Sequence, residues 1–94
     1  MTGRLEGKIV AITGAASGFG EAAAIRFVAE GAKVVLGDIQ EDAGKKVAEG
    51  LGDAARFVSC NVTREEEVAN LVDTAVREFG QLDVMYNNAG IVGA

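Results

Sequence analysis

The chain has 94 residues, a formal net charge of −5, no histidine, one cysteine, and 24% charged beside 49% hydrophobic residues, so it is one small domain at most, or part of one. Its acidic balance, with no basic cluster, argues against nucleic acid and against an anionic membrane surface as partners. A lone cysteine allows no intrachain disulfide, and the lack of histidine removes the usual zinc sets and His-based triads, so no metal site is expected.

Residues 1–7 lack the apolar core of a signal peptide, and no apolar run approaches the roughly 20 residues of a membrane span, so a cytoplasmic location is expected. The first strand is predicted over Lys8–Thr13, where Ile9, Val10, Ala11 and Ile12 run without polar alternation, as in a strand covered on both faces. It stops at a glycine-rich turn, Gly14-Ala15-Ala16-Ser17-Gly18-Phe19-Gly20, and a helix opens at Gly18. Gly14 suits a tight turn, Gly18 would let a pyrophosphate approach the backbone, and Gly20 would let the helix pack closely on the sheet. The helix start aims its free N–H groups and positive dipole end at the ligand, so an anion is held there without a basic side chain. Phe19, Ala22, Ala24, Phe27 and Val28 are expected on the buried face of this helix, with Phe19 packed at its entrance and its bulk narrowing the pyrophosphate cleft. Glu21, Arg26 and Glu30 turn outward, and Gly31 ends the helix.

A second buried strand is predicted over Lys33–Asp38, then a helix over Glu41–Leu51 with Gly44, Val47, Ala48 and Leu51 inward and Gly50 and Gly52 at its end. Arg56–Cys60 reads as a third strand and Asn61-Val62-Thr63 as the turn after it; Cys60 is a small buried residue. Val68, Leu71, Val72, Ala75, Val76 and Phe79 fall on one helical face, with Thr63 and Glu66 as a capping box, Arg64 to Glu67 as a solvated first turn, and Gly80 beyond the end. Leu82–Tyr86 is predicted as a fourth strand, with Tyr86 in a packing role, leading to Asn87-Asn88-Ala89-Gly90.

This alternation predicts an α/β fold, a Rossmann-like doubly wound parallel sheet in part, with strand order 3-2-1-4 and right-handed crossovers. A ligand is then expected at the carboxyl ends of the strands, where the winding reverses. The glycine turn, Asp38, Asn61 and the Asn87–Gly90 segment all lie there. A glycine triad that follows a strand, opens a helix and precedes an acidic residue at the end of the second strand is the context of a dinucleotide site. No Gly-Lys-Ser or Gly-Lys-Thr closes the turn, which excludes a P-loop. Asp38 sits where a carboxylate accepts from adenosine ribose hydroxyls; the alternatives are a solvated strand-end aspartate or a cap of the next helix. Facing the ribose, it would oppose a 2′-phosphate by roughly 3 to 4 kcal/mol at about 4 to 5 Å and an effective dielectric near 20. Ala15, Ala16, Ser17 and Ile39 supply no compensating cation, so NAD is predicted over NADP.

Thr13-Gly14-Ala15-Ala16-Ser17-Gly18-Phe19-Gly20 resembles the Thr-Gly-x-x-x-Gly-x-Gly motif of the short-chain dehydrogenase/reductases, and Asn87-Asn88-Ala89-Gly90 resembles that family's Asn-Asn-Ala-Gly motif. The resemblance covers essentially the whole chain, but only the amino-terminal part of a member. It implies that 1–94 is the amino-terminal part of a single NAD-binding Rossmann domain. The loop from Gly14 through Ser17, Gly18 and Phe19 to Gly20 would hold the pyrophosphate, Asp38 the adenine ribose, and Asn61 and Val62 the adenine. Asn88, Ala89 and Gly90 would lie along the ribose side of the cofactor, and Asn87 would tie the central strands together. Position 61 is more often aspartate in the family; asparagine keeps a carbonyl acceptor for the adenine amino group, or serves only as a helix-entry residue. The implied activity is hydride transfer between nicotinamide and a small-molecule alcohol or carbonyl substrate, in a homo-oligomer when complete. The family's serine, tyrosine and lysine are absent here: the single tyrosine, Tyr86, is followed four residues on by Gly90. No catalytic residue is therefore assigned, and these residues alone are expected to be inactive. The rival expectations are a non-catalytic module that binds NAD or a partner, and, more remotely, a methyltransferase.

Overall fold

Strand residues without polar alternation can be satisfied only by cover on both faces, and the computed structural model, which describes residues 4–87, shows this. β1 (Ile9–Thr13) is buried at every position and β2 (Lys33–Asp38) at all but Lys33. With β3 (Ala55–Ser59) and β4 (Val84–Asn87) they form a four-stranded sheet in the order β3-β2-β1-β4. All three pairings are parallel. The helices are α1 (Gly18–Ala29), α2 (Glu41–Leu51) and α3 (Glu65–Phe79), with a short 3-10 turn at Gly52–Ala54.

The pleat sorts the core into two layers. Val10, Ile12, Val34 and Leu36 face one side, where Ala24, Phe27 and Val28 of α1 and Val47, Ala48 and Leu51 of α2 cover them. Ile9, Ala11 and Val35 face the other, where Leu71 and Ala75 of α3 cover them, with Val68 and Phe79 alongside. Helices on both faces, with the winding reversed between β1 and β4, make this the doubly wound arrangement expected from the sequence. In such sheets ligands bind outside the carboxyl ends of the strands, at the point where the winding reverses.

Several local expectations are corrected. β3 starts and ends one residue earlier than expected, and β4 runs over Val84–Asn87 because Leu82 and Asp83 are spent on the turn into it. Phe19 is 83% exposed rather than packed at the helix entrance. Ala22 is exposed as well, and the buried face of α1 is set by Gly20 and Ala24. Glu30, expected outward, is buried because the chain at Leu5 and Glu6 crosses the end of α1: Leu5 N–H donates to Glu30 O at 2.8 Å. Its Oε2 meets Arg26 Nε at 3.0 Å, whereas Oε1 is buried with no partner among the described residues. On α3, Val76 is half exposed and Thr74 takes a buried place, its hydroxyl satisfied by Asn70 O at 2.7 Å. The capping box does not form. The cap position of α3 is Arg64, Thr63 bonds to Asn61 instead, and Glu67 rather than Glu66 reaches back, to Asn61 N–H at 2.8 Å.

β4 is anchored at its start by Asp83. Its carboxylate accepts from Ile9 N at 2.8 Å and from Gln81 Nε2 at 2.8 Å, while its own N–H donates to Ile9 O at 2.9 Å. These donors, the Ile9 N–H first, favour the charged form and hold the Asp83 carboxyl below its ordinary range. A depressed folded-state pKa contributes stability above the unfolded value of about 3.9, lost as pH falls through the folded value. Asp83→Asn is therefore expected to be less stable than the wild type at pH 6, with the gap closing as pH drops below about 4. Urea midpoints at the two pH values check this; a gap independent of pH would remove Asp83 from the role.

Candidate functional site

The chain leaves β1 at Thr13 and must turn at once, which Gly14 does with φ +67°, a left-handed conformation that suits glycine. Two bonds then stitch the loop to the end of β2: Ala15 N–H donates to Gly37 O at 3.2 Å and Ala16 N–H to Asp38 Oδ2 at 2.9 Å. Ser17 caps α1. Its hydroxyl accepts from Gly20 N at 3.1 Å and donates to Gly14 O at 2.8 Å, closing the loop on itself. The N–H groups of Gly18 and Phe19, in the first helical turn, have no intrahelical acceptor to reach. They form the anion-receptive end of the helix.

The structure separates the roles of the last two loop glycines. A Cβ on Gly20 would collide with the Gly14 carbonyl oxygen and lie 2.8 Å from Ala15 Cα. Glycine is thus required there for the loop to fold back on the helix, rather than for the helix to approach the sheet. A Cβ on Gly18 would meet nothing within 4 Å, and its φ is not in the left-handed region. Among the described residues, nothing requires glycine at position 18.

Asp38 is 7% exposed, so it is not a solvated strand end. One oxygen holds Ala16 N–H and the other accepts from Gln40 N at 2.8 Å, an Asx turn into α2. A carboxylate offers about four acceptor sites, so each oxygen retains capacity for a ligand hydroxyl. Asn61 follows β3 beside it, because Cys60 N–H donates to Asp38 O at 3.1 Å. Its Oδ1 accepts from Thr63 N at 3.0 Å and from Thr63 Oγ1 at 2.6 Å. The carbonyl that was expected to face a ligand is occupied within the turn. Val62 is at the margin of exposure, 36%. Asn87 pairs with Thr13 in register, and Thr13 Oγ1 donates to Asn87 Oδ1 at 2.8 Å, so the β1–β4 seam is tied side chain to side chain. Asn88, Ala89 and Gly90 lie outside the described residues.

Two reactive-looking side chains are structural. Cys60 is 2% exposed, and its thiol is pushed above its ordinary pKa by burial, with Glu67 and Asp38 adding to the effect. Tyr86 packs edge-on against Phe27, ring centroids 5.6 Å apart. A shallow cleft lined by Gly7, Ile9, Gly31, Lys33, Phe79 and Gln81 lies at the opposite, amino end of the strands. Lys33 lies over the Phe79 ring there at 5.6 Å, and the lining holds no carboxylate, thiol or phenol.

What the sequence reading missed is the bonding between the motifs. Asp38 pins the loop through Ala16, and Thr63 captures the acceptor of Asn61. The second had a signal, since Asn-x-Thr after a strand is Asx-turn chemistry. The first joins residues 22 apart and appears only once the strands are paired.

The family model described as short chain dehydrogenase matches residues 8–94. The chain belongs to the short-chain dehydrogenase family. It is 54% identical over 89 residues to tropinone reductase-like 2 of Erythroxylum coca, covering 95% of this chain and 32% of that protein. It is 54% identical over 91 residues to the mitochondrial borneol dehydrogenase of Lavandula x intermedia, covering 97% of this chain and 34% of that one. The crystal structure of 3-ketoacyl-(acyl-carrier-protein) reductase from Brucella melitensis, complexed with NADH, superimposes with a TM-score of 0.83 at 44% identity over 86% of this chain and 33% of that one. The chain thus spans about a third of the length of these relatives. Their likeness confirms the Rossmann-like sheet of this short-chain dehydrogenase sequence.

The contrast between the glycines gives a stability test. Gly20→Ala is expected to destabilise the fold by about 1 to 3 kcal/mol, because loop backbone must shift. Gly18→Ala is expected to be neutral or slightly stabilising, since alanine is the better helix former. Thermal melts of the two variants decide it; equal losses would mean that position 18 is also a packing position.

Proposed function

We propose that the chain is the amino-terminal, NAD(H)-binding part of an oxidoreductase that interconverts a secondary alcohol and a ketone by hydride transfer. The observation that carries this reading is a glycine that the described residues do not need. Gly18 stands in the first turn of α1 with open space where a side chain would go, beside N–H groups that have no intrahelical partner. An approaching pyrophosphate accounts for both features and needs no cation. The names of the relatives, which include a dehydrogenase and reductases, describe the two directions of one reaction class.

In this reading the backbone of Gly14, Ser17, Gly18, Phe19 and Gly20 surrounds the pyrophosphate, and the exposed Phe19 ring walls the cleft. Asp38 accepts from the ribose hydroxyls on its remaining lone pairs, Asn61 and Val62 flank the base, and Asn88, Ala89 and Gly90 run along the cofactor's ribose. The cofactor supplies or accepts the hydride. What these residues contribute is position: the loop is fixed before the ligand arrives, so little order must be created on binding. Asp38 is buried and already negative where a 2′-phosphate would come, and the neighbouring loop carries no cation. NAD is therefore the proposed cofactor rather than NADP. The family's serine, tyrosine and lysine are not among these 94 residues, so binding without turnover is the expected property of the chain.

Paired titrations test the proposal, with NADH and NADPH fluorescence as the signal. NADH is expected to bind more than tenfold tighter than NADPH, and Gly18→Ala to weaken NADH by about tenfold or more without loss of thermal stability. Equal or tighter binding of NADPH would remove Asp38 from the ribose. Unchanged affinity in Gly18→Ala would remove the pyrophosphate from the loop. No alcohol oxidation or ketone reduction is expected from the chain alone, and genuine turnover would contradict the reading.

A further inference from the structure

We infer that the cleft at the amino ends of the strands is a second binding site, for a small carboxylate with a single-ring body such as benzoate, separate from the dinucleotide site. The glycine loop takes only one end of the parallel sheet. At the other end a cavity of about 240 Å³ lies between Gly7, Ile9, Gly31, Lys33, Phe79 and Gln81. Gly7 and Gly31 hold φ at +82° and +98°, so part of the lining is left-handed turn backbone that carries no side chain. The apolar part is the buried Ile9 and the Phe79 ring.

Two polar side chains complete the lining, and they differ in kind. Lys33 Nζ lies 5.6 Å from the centre of the Phe79 ring, and no carboxylate among the described residues pairs with it. Arg56 stands on the same ring at 5.2 Å, but its guanidinium is spent on Glu78 at 3.0 Å and on the carbonyls of Asp53 and Ala55. One positive charge beside the ring is balanced and the other is not. The amide of Gln81 is fixed by its partners. One arm meets Gly7 O at 3.2 Å, a carbonyl that can only accept, so that arm is the NH₂ group; it reaches Asp83 Oδ2 at 2.8 Å as well. The other arm is the carbonyl oxygen, an acceptor with no donor among the described residues.

Each group narrows the ligand. An unbalanced ammonium calls for an anion, and the lining holds no carboxylate to compete with one. Asp83, which is bonded to Gln81, lies outside the lining and is engaged by Ile9 N–H. The Phe79 ring and Ile9 call for an apolar, flat body, since a second ring packs edge-on or offset against an aromatic wall. The Gln81 oxygen can take a hydroxyl or N–H on that body. The volume sets the size: it is below the roughly 300 to 1,000 Å³ of sites for drug-sized ligands, so one ring with one carboxylate fits and a nucleotide does not. An inorganic anion would use Lys33 and leave the ring and Ile9 in water.

The test titrates the chain with benzoate, acetate and benzyl alcohol at constant ionic strength and follows the backbone amides by NMR. Benzoate is expected to give saturable shifts at Gly7, Gly31 and Gln81 with a millimolar dissociation constant, and to bind about fivefold or more tighter than either acetate or benzyl alcohol, each of which lacks one of its two parts. Lys33→Met, an exposed change that removes the charge and keeps an apolar stem, is expected to weaken benzoate by about threefold or more. The constant is read from the midpoint of saturation, so a partial loss of folded protein does not move it. Saturating NAD, followed at Gly18 and Phe19, is expected to leave it unchanged. No saturable shift at the three amides, a margin below fivefold over acetate or benzyl alcohol, or a loss below threefold in Lys33→Met overturns the inference. Competition with NAD would place benzoate in the dinucleotide site and overturn it too. The two sites have separate reporter amides, so a failure of the dinucleotide reading is seen at Gly18 and Phe19 and a failure of this one at Gly7, Gly31 and Gln81.

Discussion

The site depends on a carboxylate that is buried at the end of one strand and spent on the turn after another. Asp38 is formed by β2, yet its Oδ2 holds the N–H of Ala16, which belongs to the loop after β1. Beside it, Ala15 N–H is held by Gly37 O, so the loop is attached to its neighbouring strand at two successive residues. A hydrogen bond to an ionised acceptor contributes about 1.5 to 3 kcal/mol, more than a neutral one. A glycine-rich loop without such a tie would retain many conformations. Here its shape is set by the register of β1 against β2, which pairs Thr13 with Gly37. The fold therefore reaches the site through one pairing: if that register slipped, the pin and the loop would be lost together.

Everything else at the carboxyl edge is organised the same way, by a side chain or backbone group that crosses from one strand's end to the next. Thr13 reaches Asn87 across the β1–β4 seam, and Cys60 reaches the Asp38 carbonyl across the β2–β3 side. The result is a row of loops with fixed spacing above a sheet whose two central strands are almost wholly buried. Rigid strands below and hydrogen-bonded turns above give a surface that is formed before any ligand binds. The acidic residues placed there repel additional negative charge, and the helix end of α1 attracts it. On the proposed reading, a pyrophosphate bridging two nucleosides fits that division and a further phosphate on the ribose does not.

The sheet order, both central strands and the three helices were legible in the sequence because their signals are local and repeated. Four apolar residues without alternation mean cover on both faces, and the spacing of Leu71 and Ala75 marks the buried side of α3. Hydrophobicity alone predicts burial for Phe19 and Val76, but Phe19, in the first turn of α1, is 83% exposed and Val76, in the last turn of α3, is half exposed. Glu30 was misread for the opposite reason: the segment that covers it arrives from a distant part of the chain. The capping box failed on competition. The Thr63 hydroxyl, which in a capping box accepts from a free N–H of the first helical turn, instead donates to the Asn61 side chain two residues away, and Arg64 takes the cap position. Residue types at the site were readable from spacing, but the direction of each hydrogen bond was not, and at Asn61 the side-chain carbonyl is spent on Thr63 within the turn.

The most direct single measurement is a backbone amide NMR titration of the chain with NAD. The largest saturable shifts are expected at Gly18 and Phe19, with Ala16, Val62 and Thr63 following, and none at Gly7, Gly31 and Gln81 at the other end of the strands. Shifts confined to that opposite end, or none at the Gly18 and Phe19 amides when NAD is saturating, would contradict a dinucleotide site held by the β1–α1 loop.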